Sequence, residues 1–339
     1  KVIYRDRFGH ERPYEREFEG IRRFEPISRL HDSQVDILHV GRNDAEGYYF
    51  YVMELADDEE SGQEFNPNSY SPRTLKSDLE RHERFTARHC LEMGLALATA
   101  LMHLHENGLV HRDIKPSNVV FVRGLPKLAD IGLIAAISDP PSLVGTLGFV
   151  PPEGAGSPQA DIYALGRVLY EMISGLDRSR FPELPSDLLP DDDPRLAKEL
   201  NLIILKACAP QAADRHGSAR ELAGELQLLQ AGHSIRELRN AERRLKWFRR
   251  LGVVAVIVAG IATLAYVAAT RANRRVALEL AKSKTAEART LRVSNLTGRR
   301  TQALAAIREA AAIEPSRELR DEAIAAFALT DLGESELFI

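Results

Sequence analysis

Residues 111–118 bring a carboxylate, an ammonium group and an amide onto one short stretch of the chain. The carboxylate of Asp113 can accept the proton of a substrate hydroxyl, and the ammonium group of Lys115 can neutralise charge on a transferred phosphoryl group. The side-chain oxygen of Asn118 can ligate Mg²⁺. A polar turn without chemistry is the alternative interpretation. The residue types favour phosphoryl transfer to a hydroxyl.

Apolar patterns on both sides predict the elements that position this stretch. Residues 87–105 have the apolar spacing of a helix, and the unbroken apolar run 119–122 is typical of a buried strand. A second strand-like run, 126–129, leads into Asp130. We therefore expect the polar residues on a loop between a helix and a strand.

The order of motifs resembles that of the protein kinases. Residues 111–118 match the catalytic-loop pattern H-R-D-x-x-x-x-N. Asp130-Ile131-Gly132 resembles the metal-binding motif D-F-G, with Ile where the family usually has Phe. Residues 145–153 resemble the segment that ends in A-P-E. The resemblance extends over residues 1–230 in one unbroken order of motifs.

The resemblance implies a role for each of these polar residues. Thr146 would hydrogen-bond the catalytic Asp and Lys, as in Ser/Thr kinases, and Asp161 would cap backbone amides of the catalytic loop. Asn118 and Asp130 would hold Mg²⁺ or Mn²⁺. The catalytic residues that it implies are Asp113, Lys115, Asn118 and Thr146.

Two further expectations come from the resemblance. Arg215 and Glu153 would form a buried ion pair with a structural role, because an unpaired buried charge is costly. Arg112 precedes the catalytic Asp, as in kinases whose activation loop is ordered by phosphorylation, so Ser138 and Ser142 are candidate modification sites. Plain loop serines are the alternative.

The N-terminal residues resemble the phosphate-binding part of a kinase. Lys1 resembles the lysine that holds the ATP phosphates, and Glu17, in the helical pattern 13–24, resembles its ion-pair partner. An exposed terminal lysine and a solvated helix charge are the alternatives. In the family, the Gly-rich strands that cover the phosphates would precede Lys1. We therefore expect a piece of a longer protein, truncated at both ends.

A strand predicted over residues 48–55 would end at the adenine pocket. Met53 resembles the gatekeeper, and the backbones of Glu54 and Ala56 would hydrogen-bond the adenine edge. The Gly-, Pro-, Ser- and Asn-rich residues 61–72 are predicted to form a solvated loop without a function. ATP is the implied phosphoryl donor, and the residues implied to bind it are Lys1, Glu17, Met53, Glu54, Ala56 and Asp130.

Length and composition agree with this resemblance. The chain has 339 residues, a net charge of −4 and two cysteines, Cys90 and Cys208. These features favour neither a disulfide framework nor nucleic-acid binding. The expected fold class is α+β: a bilobal protein-kinase fold over residues 1–230, with an incomplete N-lobe and a helical C-lobe.

A transmembrane helix is predicted over residues 251–270, which carry no charge. At about 1.5 Å per residue, a helix of that length spans about 30 Å, the thickness of a bilayer core. The linker 231–250 is more basic than the residues directly after the span, which places the N-terminal side in the cytoplasm. Residues 271–339 are predicted to lie outside the cytoplasm, with helices over 298–313 and 316–329.

Two weaker patterns accompany the predicted span. Ala255, Ala259 and Thr263 recur every four residues, so one face of the helix carries small side chains. Two copies of the helix could pack closely along this face as a homodimer. Residues 315–324 resemble the segment that leads into WD40-type repeats in some bacterial membrane kinases. That likeness predicts a linker towards a sensor domain.

The sequence therefore indicates a single-pass membrane Ser/Thr protein kinase that phosphorylates proteins and acts in signalling. Lys115 and Thr146 are the residues that match the Ser/Thr pattern. The alternative is a pseudokinase, a membrane scaffold or receptor that signals by binding. The best support for that alternative is Ile131.

Overall fold

The computed structural model describes residues 1–64, 66–138, 145–185, 193–294 and 297–329. The chain separates into two compact units, Lys1–Glu242 and Arg243–Ile339. The described part of the first unit mixes strands and helices, whereas that of the second is helical. The first unit thus extends past the boundary predicted at residue 230.

A small antiparallel sheet and one helix form the N-terminal part of the first unit. The strands are β1 (Val2–Tyr4), β2 (Ile37–Asn43) and β3 (Tyr48–Met53), with β3 in the centre. Helix α1 (Glu11–Ser28) packs against β2. The predicted helix 13–24 is confirmed and extends further at both ends. The side chains that α1 buries are Tyr14, Ile21 and Phe24.

Five further helices of the first unit carry most of its core. They are α2 (Leu75–His82), α3 (Ala87–Glu106), α4 (Pro158–Ser174), α5 (Pro194–Ala207) and α6 (Ala219–Gln230). Helix α3 packs against α4 and α6, and α4 is buried along most of its length. Each helix begins after a side chain that accepts a backbone N–H bond from the first turn. These capping residues are Thr74, Thr86, Ser157, Asp193 and Ser218.

Short strands and turns hold the polar residues of interest between these helices. Strand β4 (Leu109–Val110) pairs with β7 (Ala135–Ala136), and β5 (Val119–Val122) pairs with β6 (Leu125–Leu128). The helix predicted at 87–105 and the strand predicted at 119–122 are therefore confirmed. The polar segment lies between β4 and β5, as expected for a loop that follows a helix.

The described part of the second unit consists of helices. Helix α7 (Ile235–Val293) contains the predicted span, and α8 (Arg299–Ile313) and α9 (Arg317–Phe327) confirm the two helices predicted after it. The linker expected at 231–250 is helical from Ile235 onwards. An Ala-rich core joins the end of α7 to α8 and α9, and it contains Ala288, Ala303, Ala306, Ile307, Ala310, Leu319 and Ala326.

Among the described residues, one helix is long and apolar enough to cross a membrane, judged by length and composition. A window of 18 residues within Trp247–Val293 reaches a mean hydropathy of 2.4 and is not buried in the structure. Large apolar side chains in this window are exposed, for example Val256 at 73% and Leu264 at 72%. Such exposure distinguishes α7 from the buried core helix of a soluble domain.

Candidate active site

The four residues predicted to act in catalysis lie in one hydrogen-bonded cluster. Lys115 Nζ donates to Asp113 Oδ2 at 2.6 Å and to Thr146 Oγ1 at 2.9 Å. Thr146 Oγ1 in turn donates to Asp113 Oδ1 at 2.9 Å. Asn118 Nδ2 donates to the backbone oxygen of Asp113 at 2.8 Å and to its Oδ2 at 2.9 Å. Both oxygens of the Asp113 carboxylate are therefore held in fixed directions.

A buried carboxylate holds the backbone of the loop from beneath. Asp161, at the start of α4 and 2% exposed, accepts the backbone N–H of His111 at 2.8 Å and that of Arg112 at 2.9 Å. His105 Nε2 lies 2.9 Å from Asp161 Oδ2. Burial opposes ionisation of Asp161, but the neighbouring His105 outweighs burial and keeps the pKa of this carboxyl below its usual range. The predicted capping role matches this geometry.

The backbone of the loop is strained immediately before the central carboxylate. Arg112 has φ of +72°, a left-handed conformation that is uncommon for a residue other than glycine. The two backbone hydrogen bonds from His111 and Arg112 to Asp161 hold this conformation in place. The residue directly before Asp113 thus has a backbone conformation that Asp161 fixes.

The ion pair of Lys1 differs from the expected one. Lys1 Nζ lies 2.8 Å from Asp130 Oδ1, whereas the ion pairs of the described residues include none between Lys1 and Glu17. The predicted Lys1–Glu17 pair is thus not formed in this conformation and stays a prediction. Glu17 instead lies against the segment after Asp130: a Cβ placed on Gly132 would come within 2.8 Å of Glu17 Oε1. A side chain at position 132 would therefore require the Glu17 carboxylate to shift.

The contact between Lys1 and Asp130 shifts the pKa values of both groups. Burial opposes the charge of the Lys1 ammonium, but Tyr51 and Asp130 outweigh burial and raise its pKa. Burial also opposes the Asp130 carboxylate, but the hydrogen bond and charge of Lys1 hold its pKa below the usual range. Burial raises the pKa of Glu17, which lacks such an ion pair with Lys1 in this structure. Lys1 and Asp130 therefore stabilise each other's charged form.

A cleft of about 520 Å³ gathers most of the residues predicted to bind the nucleotide and the metal. Val120 and Ala129 add apolar surface to its lining, and Glu17 is outside the lining. The predicted residues that line it are Lys1, Met53, Glu54, Ala56, Asn118 and Asp130. The structure thus brings together residues from four separate stretches of the sequence.

The segment after β3 presents two free backbone groups at this cleft. Within the described chain, the carbonyl oxygen of Glu54 and the N–H of Ala56 make no hydrogen bond. The Glu54 side chain is engaged elsewhere, 2.5 Å from Lys127 Nζ. One acceptor and one donor are therefore available to a flat heterocycle, as the predicted adenine site requires.

A second cleft, of about 560 Å³, lies on the other side of the cluster. Lys115 and Thr146 line it, together with Phe149 and the side chains at the end of α4. Ser117 lines both clefts. Asn118 lines the first cleft, whereas Lys115 and Thr146 line the second, so members of the hydrogen-bonded cluster border two separate recesses of the first unit.

The expected pair between Arg215 and Glu153 is present, with one difference in burial. Arg215 Nη2 donates to Glu153 Oε2 at 3.1 Å, and Nη1 donates to Oε1 of the same carboxylate. The Arg215 side chain is 0% exposed, but that of Glu153 is 38% exposed, so the expectation that both are buried is wrong. The pair stays remote from the cleft residues and supports a structural role.

Sequence reasoning missed three residues that support the site. Tyr51 lines the 520 Å³ cleft beside Lys1, Tyr70 lines it from a loop predicted to have no function, and His105 contacts Asp161. The unbroken apolar sequence of β3 indicates a buried strand, but it does not tell which face Tyr51 occupies. The other two carry no sequence signal. Of the two candidate loop serines, Ser138 is exposed and Ser142 lies outside the described residues.

Comparison with known proteins places these motifs in a familiar sequence context. The profile of the family "Protein kinase domain" matches residues 11–183. A probable serine/threonine-protein kinase of Corynebacterium efficiens is 31% identical over 183 residues, which cover 46% of this chain and 28% of the relative. The serine/threonine-protein kinase PknA of Mycobacterium tuberculosis is 31% identical over 179 residues, covering 47% of this chain and 41% of the relative. The chain thus matches less than half of the length of these relatives.

Proposed function

The chain belongs to the protein kinase family, and on that premise we propose that it is a membrane-anchored Ser/Thr protein kinase. The observation that carries the proposal is the hydrogen-bonded cluster around Asp113, in which Asn118 lines the first cleft and Lys115 and Thr146 line the second. The names of the bacterial relatives support the Ser/Thr assignment. In this proposal the sheet with α1 forms the small lobe of a bilobal kinase, and the remaining helices of the first unit form the large lobe.

The nucleotide would occupy the 520 Å³ cleft. The free Glu54 carbonyl and Ala56 N–H would bind the adenine edge, and Lys1 would bind the phosphates. Lys1 then exchanges Asp130 for phosphate oxygens and, as the resemblance implies, pairs with Glu17. A metal ion bound by Asp130 would then supply the positive charge that Lys1 supplies to this carboxylate in the present structure.

The donor set at the cleft fits a hard divalent cation. Asn118 contributes an amide oxygen, and Asp130 contributes a carboxylate of lowered pKa, both of which suit Mg²⁺ or Mn²⁺. Among the described residues, no group of three or more His, Cys, Asp or Glu side chains could hold a metal alone. Phosphate oxygens and water would therefore complete the coordination. When bound, the metal neutralises phosphate charge.

The protein's own groups would then carry the transfer. A Ser or Thr hydroxyl of the protein substrate, entering from the second cleft, attacks the γ-phosphorus in line with the bond to the leaving ADP. Asp113 accepts the proton of that hydroxyl as the new P–O bond forms and the old one breaks. Lys115 stabilises the charge on the moving phosphoryl group, and Thr146 fixes the carboxylate in the accepting orientation.

The membrane part of the proposal depends on α7. Its exposed apolar window would cross the bilayer once, with the kinase unit in the cytoplasm, where ATP is found, and residues 271–339 outside the cytoplasm. A homodimer through the small face of Ala255, Ala259 and Thr263 would place two kinase units together. This arrangement supports a signalling role.

Phosphate transfer by the full-length protein from Mg-ATP to itself and to a generic basic protein tests the proposal. We expect Asp113→Asn to lower turnover at least a hundredfold and to leave the Kd of Mg-ATP nearly unchanged, because the carboxylate acts on the acceptor hydroxyl. Asp44→Asn, at a carboxylate that is 69% exposed, is the matched control and should behave as wild type. Equal turnover in wild type and Asp113→Asn would contradict the mechanism, and wild type that binds Mg-ATP without any turnover would favour a binding-only pseudokinase.

A further inference from the structure

The loop that joins β3 to α2 returns to the nucleotide cleft, although its sequence predicts only a solvated loop. One buried side chain holds it together: Asp58, 6% exposed. Its Oδ1 accepts the backbone N–H of Glu60 at 3.1 Å and of Ser61 at 3.0 Å. Its Oδ2 accepts the N–H of Ser71 at 2.9 Å. A single carboxylate therefore binds backbone N–H groups at both ends of the loop.

Backbone hydrogen bonds fix the two ends of the loop side by side. Glu59 N donates to Ser71 O at 2.8 Å, and Arg73 N donates to Asp57 O at 2.8 Å. Asp57 in turn donates its N–H to Phe121 O in β5, at 2.7 Å. The returning end of the loop is thus anchored to the strands that form the floor of the cleft.

This anchoring keeps its geometry over a wide pH range. The hydrogen bonds from Ser61 and Ser71 hold the pKa of Asp58 at about 2. The carboxylate accordingly remains an acceptor for these N–H groups under all physiological conditions. The loop therefore keeps its position at the cleft throughout this pH range.

The returning end places an aromatic ring at the cleft. Tyr70 is half-buried and lines the cleft together with Pro72 and Thr74. Its Oη donates to the backbone oxygen of Ala56 at 3.2 Å. Ala56 is one of the two residues proposed to bind the adenine edge. The ring of Tyr70 is therefore tied to the base end of the cleft by that bond.

We propose that Tyr70 is a nucleotide-contacting residue whose ring forms one wall of the site for the base and sugar of ATP. The proposal rests on the ATP site argued above. A ring that is half-buried and held by its hydroxyl loses little freedom when a flat, apolar surface covers it. The Tyr70 ring contacts the nucleoside, whereas Lys1 contacts the phosphates.

Equilibrium binding of Mg-ATP and of adenosine, both measured by displacement of a fluorescent nucleotide, tests the proposal. We expect Tyr70→Ala to raise both Kd values by about the same factor, roughly tenfold. Lys1→Met should raise the Kd of Mg-ATP alone. Tyr70→Phe should recover most of the affinity lost in Tyr70→Ala, because it keeps the ring. Tyr4→Ala, at an exposed tyrosine outside the cleft lining, is the matched control and should leave both Kd values at the wild-type level.

The outcomes separate this inference from the proposed function. If wild type binds Mg-ATP and Tyr70→Ala binds both ligands equally well or more tightly, the ring is not a wall of the site. A loss confined to Mg-ATP would also overturn the inference, because it would place the ring at the phosphates. Failure of wild type itself to bind Mg-ATP would overturn the ATP site first. Tyr70→Leu, which keeps an apolar side chain but no ring, gives the same comparison if Tyr70→Ala does not fold.

Discussion

At the scale of single residues, the cluster around Asp113 divides the work of orientation among three neighbours. Lys115 and Thr146 each bind one carboxylate oxygen, and Asn118 binds the backbone and the carboxylate. In the proposed mechanism, a carboxylate held in this way would lose little freedom on accepting a proton, because its orientation is already set without substrate. Thr146 is the member whose role is easiest to isolate, because its hydroxyl can be removed without changing the shape of the side chain.

We predict that Thr146→Val lowers kcat about tenfold or more and changes the Kd of Mg-ATP little. Valine keeps the volume but breaks the hydrogen bonds to Asp113 and Lys115, so the carboxylate loses its fixed orientation. Thr146→Ser keeps the hydroxyl and should recover most of the rate. Steady-state phosphate transfer with both variants provides the measurement. A Ser variant as slow as the Val variant would show that the methyl group, not the hydroxyl, is required.

At the scale of elements, the beginning of α7 is fastened to α5 and α6 by a carboxylate network. Glu225 in α6, 16% exposed, lies 2.8 Å from Lys206 Nζ, 3.1 Å from His216 Nε2 and 2.7 Å from Arg239 Nη2. Ile235 is 1% exposed, and Glu199 accepts the backbone N–H of Arg236 at 3.0 Å. The first turns of α7 thus belong to the packed core of the first unit and not to a flexible linker.

We predict that Glu225→Gln lowers the unfolding temperature of the first unit at pH 7 and that the difference disappears in acid. Burial opposes the charge of Glu225, but His216, Lys206 and Arg239 outweigh it and hold its pKa far below the ordinary 4.5. A depressed carboxyl pKa contributes stability above the unfolded-state value, and this stability is lost as pH falls through the folded-state value. We expect the free energy of unfolding of the first unit to fall by about 2 kcal/mol, which corresponds to a decrease of roughly 4–8 °C in its Tm.

Calorimetry from pH 7 down to pH 3 measures this difference. The difference in Tm between wild type and Glu225→Gln should be constant down to about pH 5 and should narrow below the unfolded-state pKa of the carboxyl. Glu237→Gln, at an exposed position in α7, is the matched control and should show no gap at any pH. A gap that widens on acidification would contradict the assigned sign.

At the scale of the whole molecule, the basic residues on either side of the apolar window favour one orientation. The N-terminal flank carries Arg243, Arg244, Lys246, Arg249 and Arg250, and the C-terminal flank carries Arg271, Arg274 and Arg275. The excess on the N-terminal flank agrees with the positive-inside tendency. The requirement of a kinase for ATP points in the same direction.

We predict that a reporter enzyme active only outside the cytoplasm works when fused after Arg275 and fails when fused before Arg243. The reason is that each fusion places the reporter on one side of the proposed span. Activity of both fusions in bacterial cells provides the measurement, with protein amounts as the control. The reverse pattern would overturn the proposed orientation. Pairing through Ala255 and Ala259 is a separate claim. If a variant with Leu at both positions forms crosslinked dimers and transfers phosphate as well as wild type does, the pairing is rejected and the orientation is unaffected.

The residues whose roles depend on short spacing were predictable from the sequence. Asp113, Lys115 and Asn118 lie on one loop, so any fold that forms the loop brings them together. The uncharged window of α7 is equally local, since length and hydropathy alone set whether a helix can cross a bilayer. Helices α1, α3, α8 and α9 were predictable because an apolar face repeats along each of them.

Other features depended on contacts between residues far apart in the chain, and only the tertiary structure decided them. The pairing of Lys1 with Asp130 and not with Glu17 depends on which carboxylate the fold brings within reach of Lys1 Nζ, which no local pattern expresses. Tyr70 is at the cleft because hydrogen bonds to Asp58 and to β5 hold the loop against the segment that follows β3. Spacing along the sequence can bring groups onto one loop, but burial and long-range hydrogen bonds determine which of them carry charge and which face a ligand.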